Sequence, residues 1–389
     1  MNITQLFKNF IDSEKAGGLI LIGSTIISLI LANSMFGAEY IGFWHSKIGG
    51  LSIEHWINDG LMAIFFLLIG LEIEREIYKG ELSNPKDAFL PIFGALGGII
   101  FPAGLFLLFN YGTATQSGAG IPIATDIAFA LGILSLLGNR VPISLKIFLT
   151  ALAIIDDLGA ILIIAVFYTK TLLWTNLFIA LGIFGLLLFF NRLKIRNLIP
   201  YIIGGVAMWY FMLHSGVHAT ITGVLLAFAI PFGNGGNKST SYILQHFLHK
   251  PVAFFIIPIF ALANTAIVFT SNIGETLAQD YSIGIALGLI VGKPLGVFLL
   301  TFLAVSIGFC KLPDDLNWKS IIGVGFLGGI GFTMSIFITL LAFDNEIIIN
   351  NAKFVILLSS LTAGIIGYLS LKLTFKNVKS VQTETREAT

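Results

Sequence analysis

Two adjacent carboxylates stand near the middle of an apolar run from about Pro142 to Tyr168, in the string Ala153-Ile154-Ile155-Asp156-Asp157-Leu158-Gly159-Ala160. The run is long enough to cross a bilayer, which takes about 20 helical residues. A charge at bilayer mid-depth costs roughly 2.5–3.5 kcal/mol on insertion scales, so such residues are rare and are usually paired or put to use. A fold for this chain has to supply partners for both. Composition sets the class. The chain is 56% hydrophobic and 11% charged, against about 25% charged residues in soluble domains. It reads as an all-α polytopic membrane protein of 389 residues, with room for roughly eleven to thirteen spans.

Twelve spans are expected at about 17–36, 57–79, 88–110, 119–138, 142–168, 173–191, 198–213, 215–231, 246–270, 281–308, 319–343 and 352–375. Asn84-Pro85, Gly138-Asn139, Gly233 to Gly236 and Pro313-Asp314 supply turns between them. No soluble domain fits, so 1–389 is expected to be one membrane domain. The first 15 residues are polar and mildly amphipathic and read as no cleavable signal, and the first dozen are expected along the membrane surface. With both termini in the cytoplasm, 18 of the 22 Lys and Arg residues fall on that side, including a tail at 376–389. Only Lys47, Lys170 and Lys353 fall outside, and Lys293 lies within a span. The positive-inside rule therefore favours an even number of helices with both ends inside. A net charge of +1 points to no nucleic-acid partner, and nothing marks a soluble protein partner, so membrane lipid is the surrounding expected. The single Cys310 excludes an intramolecular disulfide and a Cys-based metal cluster.

The first connection, 37–56, is the longest. Tyr40 to Trp44 and Gly50 to Ile53 read either as a two-stranded hairpin around Gly49-Gly50 or as an irregular interfacial loop with aromatic anchors. An isolated hairpin is marginal in water, so a hairpin here would need something to pair with, such as a second copy of the chain.

Two spans carry helix breakers. Gly118 to Pro122 precedes Thr125-Asp126 in the fourth, and Gly323, Gly325, Gly328, Gly329 and Gly331 precede Thr333 in the eleventh. Non-helical backbone at membrane depth survives only where it is buried in protein or lines a cavity. Ala124 to Phe129 aligns with Phe332 to Phe337 at an offset of 208. Paired interrupted spans in two halves point to an inverted-repeat transporter with its site at the midplane.

Asp126, Asp156, Asp157 and Lys293 are the ionisable residues read inside spans. Neighbouring helix residues are about 100° apart, so Asp156 and Asp157 face different ways. One such Asp can be a purely structural hydrogen-bonding group, and Asp126 can serve only the ends of the broken helix. Four buried charges for architecture alone are not a reasonable expense. Carboxylates, hydroxyls and freed carbonyls are hard oxygen ligands that suit Na+ or Li+. Burial pushes carboxylic acids and amines toward titration near neutral pH. A small cation and protons then compete for one site, and alternating exposure of that site makes an antiporter. If the cation also releases Lys293 from Asp156, more protons than cations move and exchange is electrogenic.

Five strings carry a family resemblance over nearly the whole chain: Ala153 to Ala160, Ala124-Thr125-Asp126-Ile127-Ala128-Phe129-Ala130-Leu131-Gly132, Gly292-Lys293-Pro294-Leu295-Gly296, Ser215-Gly216-Val217-His218-Ala219-Thr220 and Gly329 to Ile338. They resemble the bacterial NhaA-type Na+/H+ antiporters. The resemblance implies twelve helices, an inverted repeat of spans three to five and ten to twelve, and broken helices four and eleven that cross. It implies cation binding at Asp157 and Asp156 with Thr125 close by, helix-dipole compensation by Asp126, and a Lys293–Asp156 pair. It further implies a multi-pass protein of the bacterial inner membrane serving pH homeostasis and salt tolerance, a homodimer joined through the 37–56 loop, and no cofactor besides the transported ions. Family pH sensing maps to Glu72, Arg75, Glu76, His246 and His249, with His218 a further candidate or a packed polar contact. Gln245 stands where the family often has Glu, and Tyr242 where a Lys is expected, so activation at another pH, or a less steep one, is expected. Exposed helix-end ion pairing is the plainer role for Glu72, Arg75 and Glu76.

The rival within the same architecture is a sodium-coupled solute symporter. An intramembrane aspartyl protease using Asp126 and Asp157 would leave Asp156 and Lys293 without a role and lacks a Gly-x-Gly-Asp string. A retinal pump with Lys293 as Schiff base does not explain twelve spans and two breaks. A transporter rather than an enzyme is expected, with Asp157 as primary cation ligand and Asp156 as the proton-linked group gated by Lys293.

Overall fold

The computed structural model describes residues 3–169, 172–268 and 273–387, and leaves aside the side chains of 3–15, 81, 85–87, 139 and 376–387. Lys170 and the last two residues of the expected tail therefore lie outside the described residues. The chain is mostly helical. In order come α1 (Ile3–Ala32), α2 (Gly37–His45), the strands β1 (Lys47–Ile48) and β2 (Leu51–Ser52), α3 (Ile53–Tyr78) and α4 (Pro85–Asn110). A 3-10 segment, Gln116–Ile123, leads to α5 (Ile127–Ser135) and α6 (Ile143–Phe167). Then follow α7 (Trp174–Arg192), α8 (Ile199–Leu213), α9 (Ile221–Ala229), α10 (Thr240–Asn264), α11 (Asp280–Ile307), α12 (Trp318–Gly328), α13 (Phe332–Ala342) and α14 (Glu346–Glu387).

Among the described residues, eight helices are long and apolar enough to cross a membrane, or ten if each of two bent pairs forms one span. The bent pairs are Ala16–Ala32 with α2, at 115°, and α12 with α13, at 48°. The protein is thus an all-α, multi-pass membrane protein. Two of the apolar segments delimited in the sequence form shorter helices, α8 of 15 residues and α9 of 9. Helix α9 is cut short at both ends. Gly216 takes φ +88° in the turn before it, a conformation that suits glycine, and Pro231 follows its last turn.

The 37–56 connection is neither a hairpin of Tyr40 to Trp44 with Gly50 to Ile53 nor a wholly irregular loop. Tyr40 to Trp44 is helical, and only Lys47–Ser52 and Ile48–Leu51 pair as antiparallel strands around Gly49 and Gly50, both at positive φ. The physical reason lies in tertiary contacts. The Tyr40 hydroxyl donates to the Leu262 carbonyl at 2.8 Å and lies 3.0 Å from Ser28 Oγ, which fixes α2 as a helix against α1 and α10. Trp56 Nε1 donates to the Ile48 carbonyl at 2.9 Å and ties the short hairpin to the start of α3.

The chain divides into two compact units. One comprises Met1–Ala16, Asn84–Gly159 and Asn272–Thr389; the other comprises Gly17–Ser83 and Ala160–Ser271. In the first, α4 and α11 lie along each other. A Cβ on Gly97 would stand 2.0 Å from the Gly296 carbonyl oxygen, and one on Gly296 would stand 2.1 Å from that of Gly97. Only glycine fits at either position, and the backbones meet. In the second unit α3 and α9 meet the same way. A Cβ on Gly223 would stand 2.1 Å from the Ala63 carbonyl oxygen, and one on Gly70 would stand 2.6 Å from Ala227 Cβ.

Candidate functional site

The first unit gathers the residues singled out around the carboxylate pair. Helix α6 carries Asp156 and Asp157, both buried at or below 1% exposure. The Gly97–Gly296 contact sets Lys293, one turn earlier on α11, beside Gly98 of α4. A Cβ on Gly98 would come within 3.3 Å of Lys293 Cδ, Cε and Nζ, so the missing side chain is the groove in which the lysine lies. Lys293 is fully buried, and its Nζ stands 2.7 Å from Asp156 Oδ2. The same ammonium donates to the Gly98 carbonyl at 3.1 Å and to the Ile123 carbonyl. A π-helical turn, Gly288–Gly292, immediately precedes it.

The two breaks lie against this pair. Pro122 stands one residue before the end of its 3-10 segment, and Ala124 to Asp126 run without helix before α5 begins. Thr125 Oγ1 is 2.7 Å from Asp156 Oδ2 and 2.8 Å from the Gly328 carbonyl, where α12 stops. Asp126 N donates to the Ile330 carbonyl at 2.6 Å. Asp126 Oδ1 accepts from Phe129 N at 3.1 Å and caps α5. Its Oδ2 accepts from Thr333 N at 3.2 Å and Thr333 Oγ1 at 2.5 Å and caps α13. One buried carboxylate therefore meets two helix N-termini, where backbone N–H groups lack intrahelical partners and the partial charge is positive. Gly329 and Gly331 permit the approach. A Cβ on Gly329 would stand 2.2 Å from the Leu289 carbonyl oxygen, and one on Gly331 would stand 2.0 Å from Ser335 Oγ. The helices restart at Ile127 and Phe332, which are 205 residues apart rather than the 208 read from the sequence alignment. The cap geometry, not the Thr-Asp and Thr-Met pairing, sets the register.

Asp156 Oδ1 has no hydrogen-bond partner among the described residues. A buried acceptor left unmatched is costly, and the cost falls when a proton or a cation reaches it. The oxygen atoms on the residues gathered around Lys293 include the Asp156 carboxylate, the Thr125 hydroxyl and the Ile123 and Gly328 carbonyls. Such oxygens are of the hard type that small hard cations take as ligands.

The residues matched to pH sensing belong to the second unit. Glu72, Arg75 and Glu76 lie in the last turns of α3. His246 and His249 lie inside the first turns of α10, which begins at Thr240, earlier than the sequence suggested. The Arg75 guanidinium sits 5.5 Å from the centre of the Tyr242 ring, and that ring stacks on His246 at 4.7 Å. Tyr242, where a Lys was expected, thus provides a π face for Arg75 in place of a second cation. His218 lies in the non-helical stretch before α9, with Nε2 2.9 Å from the Tyr168 carbonyl.

Glu74 was missed in the sequence. It is 4% exposed, and its Oε2 has no hydrogen-bond partner among the described residues. Its signal was faint but present. Ala63, Leu67, Gly70 and Glu74 follow helical spacing, and the first three meet α9, so a carboxyl on this stripe is turned inward.

The Na+/H+ antiporter 1 family matches residues 8–371. A Na+/H+ antiporter NhaA of Flavobacterium psychrophilum is 78% identical over 377 residues, covering 97% of this chain and 98% of that protein. The NhaA proteins of Cytophaga hutchinsonii and Dechloromonas aromatica are 62% identical over 376 residues and 60% over 373, covering at least 95% of each chain. Likeness of this degree, running nearly from end to end, places the protein in one family of membrane transporters: the chain belongs to the Na+/H+ antiporter 1 family.

Proposed function

We propose that this protein exchanges Na+ or Li+ for protons, cation outward and protons inward, by alternating access to Asp156 and Asp157. The observation that carries the reading is the contact of Lys293 with Asp156 at 2.7 Å, beside an adjacent second carboxylate and the Thr125 hydroxyl. A cation that takes Asp156 and Asp157 as ligands displaces protons and removes the counter-charge of Lys293. Asp157 is the primary cation ligand and Asp156 the proton-linked one. Exchange of more than one proton per cation makes the cycle electrogenic. No cofactor enters, because the chemistry is competition for oxygen ligands.

The same reading takes twelve helices as one transporter domain with an inverted repeat. Its support is that the interrupted segment stands second in each triplet, between α4 and α6 and between α11 and α14. The excess of Lys and Arg on one side supports cytoplasmic termini in the bacterial inner membrane. The short hairpin at Lys47–Ser52 is the element through which a homodimer would join.

The test is vesicles holding the protein and an imposed pH gradient. Na+ or Li+ should collapse the gradient and K+ should not, and a membrane potential should change the rate. Silence toward Na+ and Li+ from neutral to alkaline pH would overturn the antiporter. A Na+ flux that requires an organic solute would install the symporter instead. A rate indifferent to voltage would remove the electrogenic part. In the same vesicles Gln245→Glu should move the pH at which activity switches on, or steepen it. An unaltered profile would remove position 245 from the pH response.

A further inference from the structure

Helix α6 carries two stripes. Phe148, Leu152 and Asp156 recur every four residues and face α4 and α11. A Cβ on Gly94 would stand 3.2 Å from Phe148 Cζ and 3.3 Å from Leu152 Cδ1, and Asp156 meets Lys293. The second stripe is Lys146, Thr150, Ala153 and Asp157. At about 100° per residue these four lie within about 60° of one another, on the side turned away from Phe148 and Leu152. Burial deepens along this stripe. Lys146 and Thr150 are half-buried, Ala153 is fully buried, and Asp157 is 1% exposed. The stripe thus leads from the start of α6 to the residue read above as the primary cation ligand.

Thr150 Oγ1 is buried and has no hydrogen-bond partner among the described residues. Threonines elsewhere in these helices behave differently. Thr25, Thr339, Thr362 and Thr374 each donate to the carbonyl four residues back, the bond that a helix offers any hydroxyl without outside help. An unmatched buried hydroxyl costs stability that a valine of the same shape would not. With a rise of 1.5 Å per residue, Thr150 stands about 10 Å along the helix from Asp157, too far for one ion to touch both. Any ion contact at Thr150 is therefore a separate stop. An ion moving along this stripe from the start of α6 passes the like charge of Lys146. The first hard side-chain oxygen it then meets is the Thr150 hydroxyl. We propose that Thr150 is a transit ligand for the transported cation: its hydroxyl replaces one water of the ion between the start of α6 and Asp157. This inference rests on the antiport reading above.

Thr150→Val removes the hydroxyl and keeps the shape. In vesicles with an imposed pH gradient, the rate at limiting Na+ should fall about fivefold, with the rate at saturating Na+ close to that of the unsubstituted protein. The melting temperature in detergent should hold or rise, since an unmatched group has been removed. Thr150→Ser keeps the oxygen and should keep the rate at limiting Na+. Thr301→Val is the comparison. Thr301 is fully buried on α11 and its hydroxyl is likewise unmatched among the described residues, but it faces Gly94, whose Cβ would stand 3.3 Å from it. Loss of that hydroxyl should leave the Na+ dependence where it was. An unchanged rate in Thr150→Val, or an equal loss in Thr150→Ser or in Thr301→Val, would overturn the proposal. So would a lowered melting temperature in Thr150→Val, because the hydroxyl would then serve the fold. Failure of the antiport reading looks different: the unsubstituted protein itself would not respond to Na+.

Discussion

Asp157→Asn should abolish Na+-driven collapse of a pH gradient, and Asp156→Asn should nearly do so. Asparagine keeps the shape of the side chain and removes its charge. At Asp157 that removes the proposed primary ligand from a site that is 1% exposed. At Asp156 the change also strips Lys293 of the carboxylate it contacts among the described residues. Leaving one member of a buried pair uncompensated costs about 3–5 kcal/mol, so the melting temperature should drop. The two positions differ in rescue. Removing the lysine as well, in Asp156→Asn with Lys293→Met, should restore much of the lost stability but not transport. A wild-type rate in Asp157→Asn would remove the adjacent pair from the mechanism.

Asp126→Leu should destabilise the protein by about 4 kcal/mol, since it leaves buried donors unmatched at about 1–3 kcal/mol each. Those donors are Phe129 N, Thr333 N and Thr333 Oγ1. Two of them are helix N-terminal amides, which the positive end of the helix makes most demanding of an acceptor. Asp126→Asn retains one acceptor oxygen and should lose about half as much. Thermal melts in detergent give the order wild type, Asn, Leu. Equal melting of all three would mean that the breaks are held by packing alone.

Much of the fold was legible because hydropathy and breakers act locally. The apolar runs, Pro122 and the glycines of α12 marked the helices and their interruptions without reference to anything distant. The site was legible as chemistry, since Asp156, Asp157, Asp126 and Lys293 are conspicuous in apolar surroundings. The backbone partners of Lys293 were not. Gly98 and Ile123 meet Lys293 across 195 and 170 residues, and no local pattern announces a carbonyl. Tyr40 to Trp44 reads either as a strand or as an irregular loop from its local pattern, and the helix is chosen by tertiary contacts with Ser28 and with Leu262 far along the chain. Glu74 hid among Glu72, Arg75 and Glu76, where a run of charges looks like a solvated helix end. The close packing of Gly70 on Ala227 turns that stripe inward.

Thr125 carries a consequence of a different kind. Its hydroxyl lies within hydrogen-bonding distance of two acceptors, Asp156 Oδ2 and the Gly328 carbonyl, yet it owns a single hydrogen. While Asp156 is an anion, that hydrogen is drawn to the carboxylate and the end of α12 goes without. Once a proton sits on Oδ2, the acid can donate to Thr125, and the hydroxyl rotates to serve Gly328. Side-chain heavy atoms need not move. The ionisation of a residue in one helix is thereby written into the bonding of the terminus of another, as a reversal in the direction of a two-bond relay.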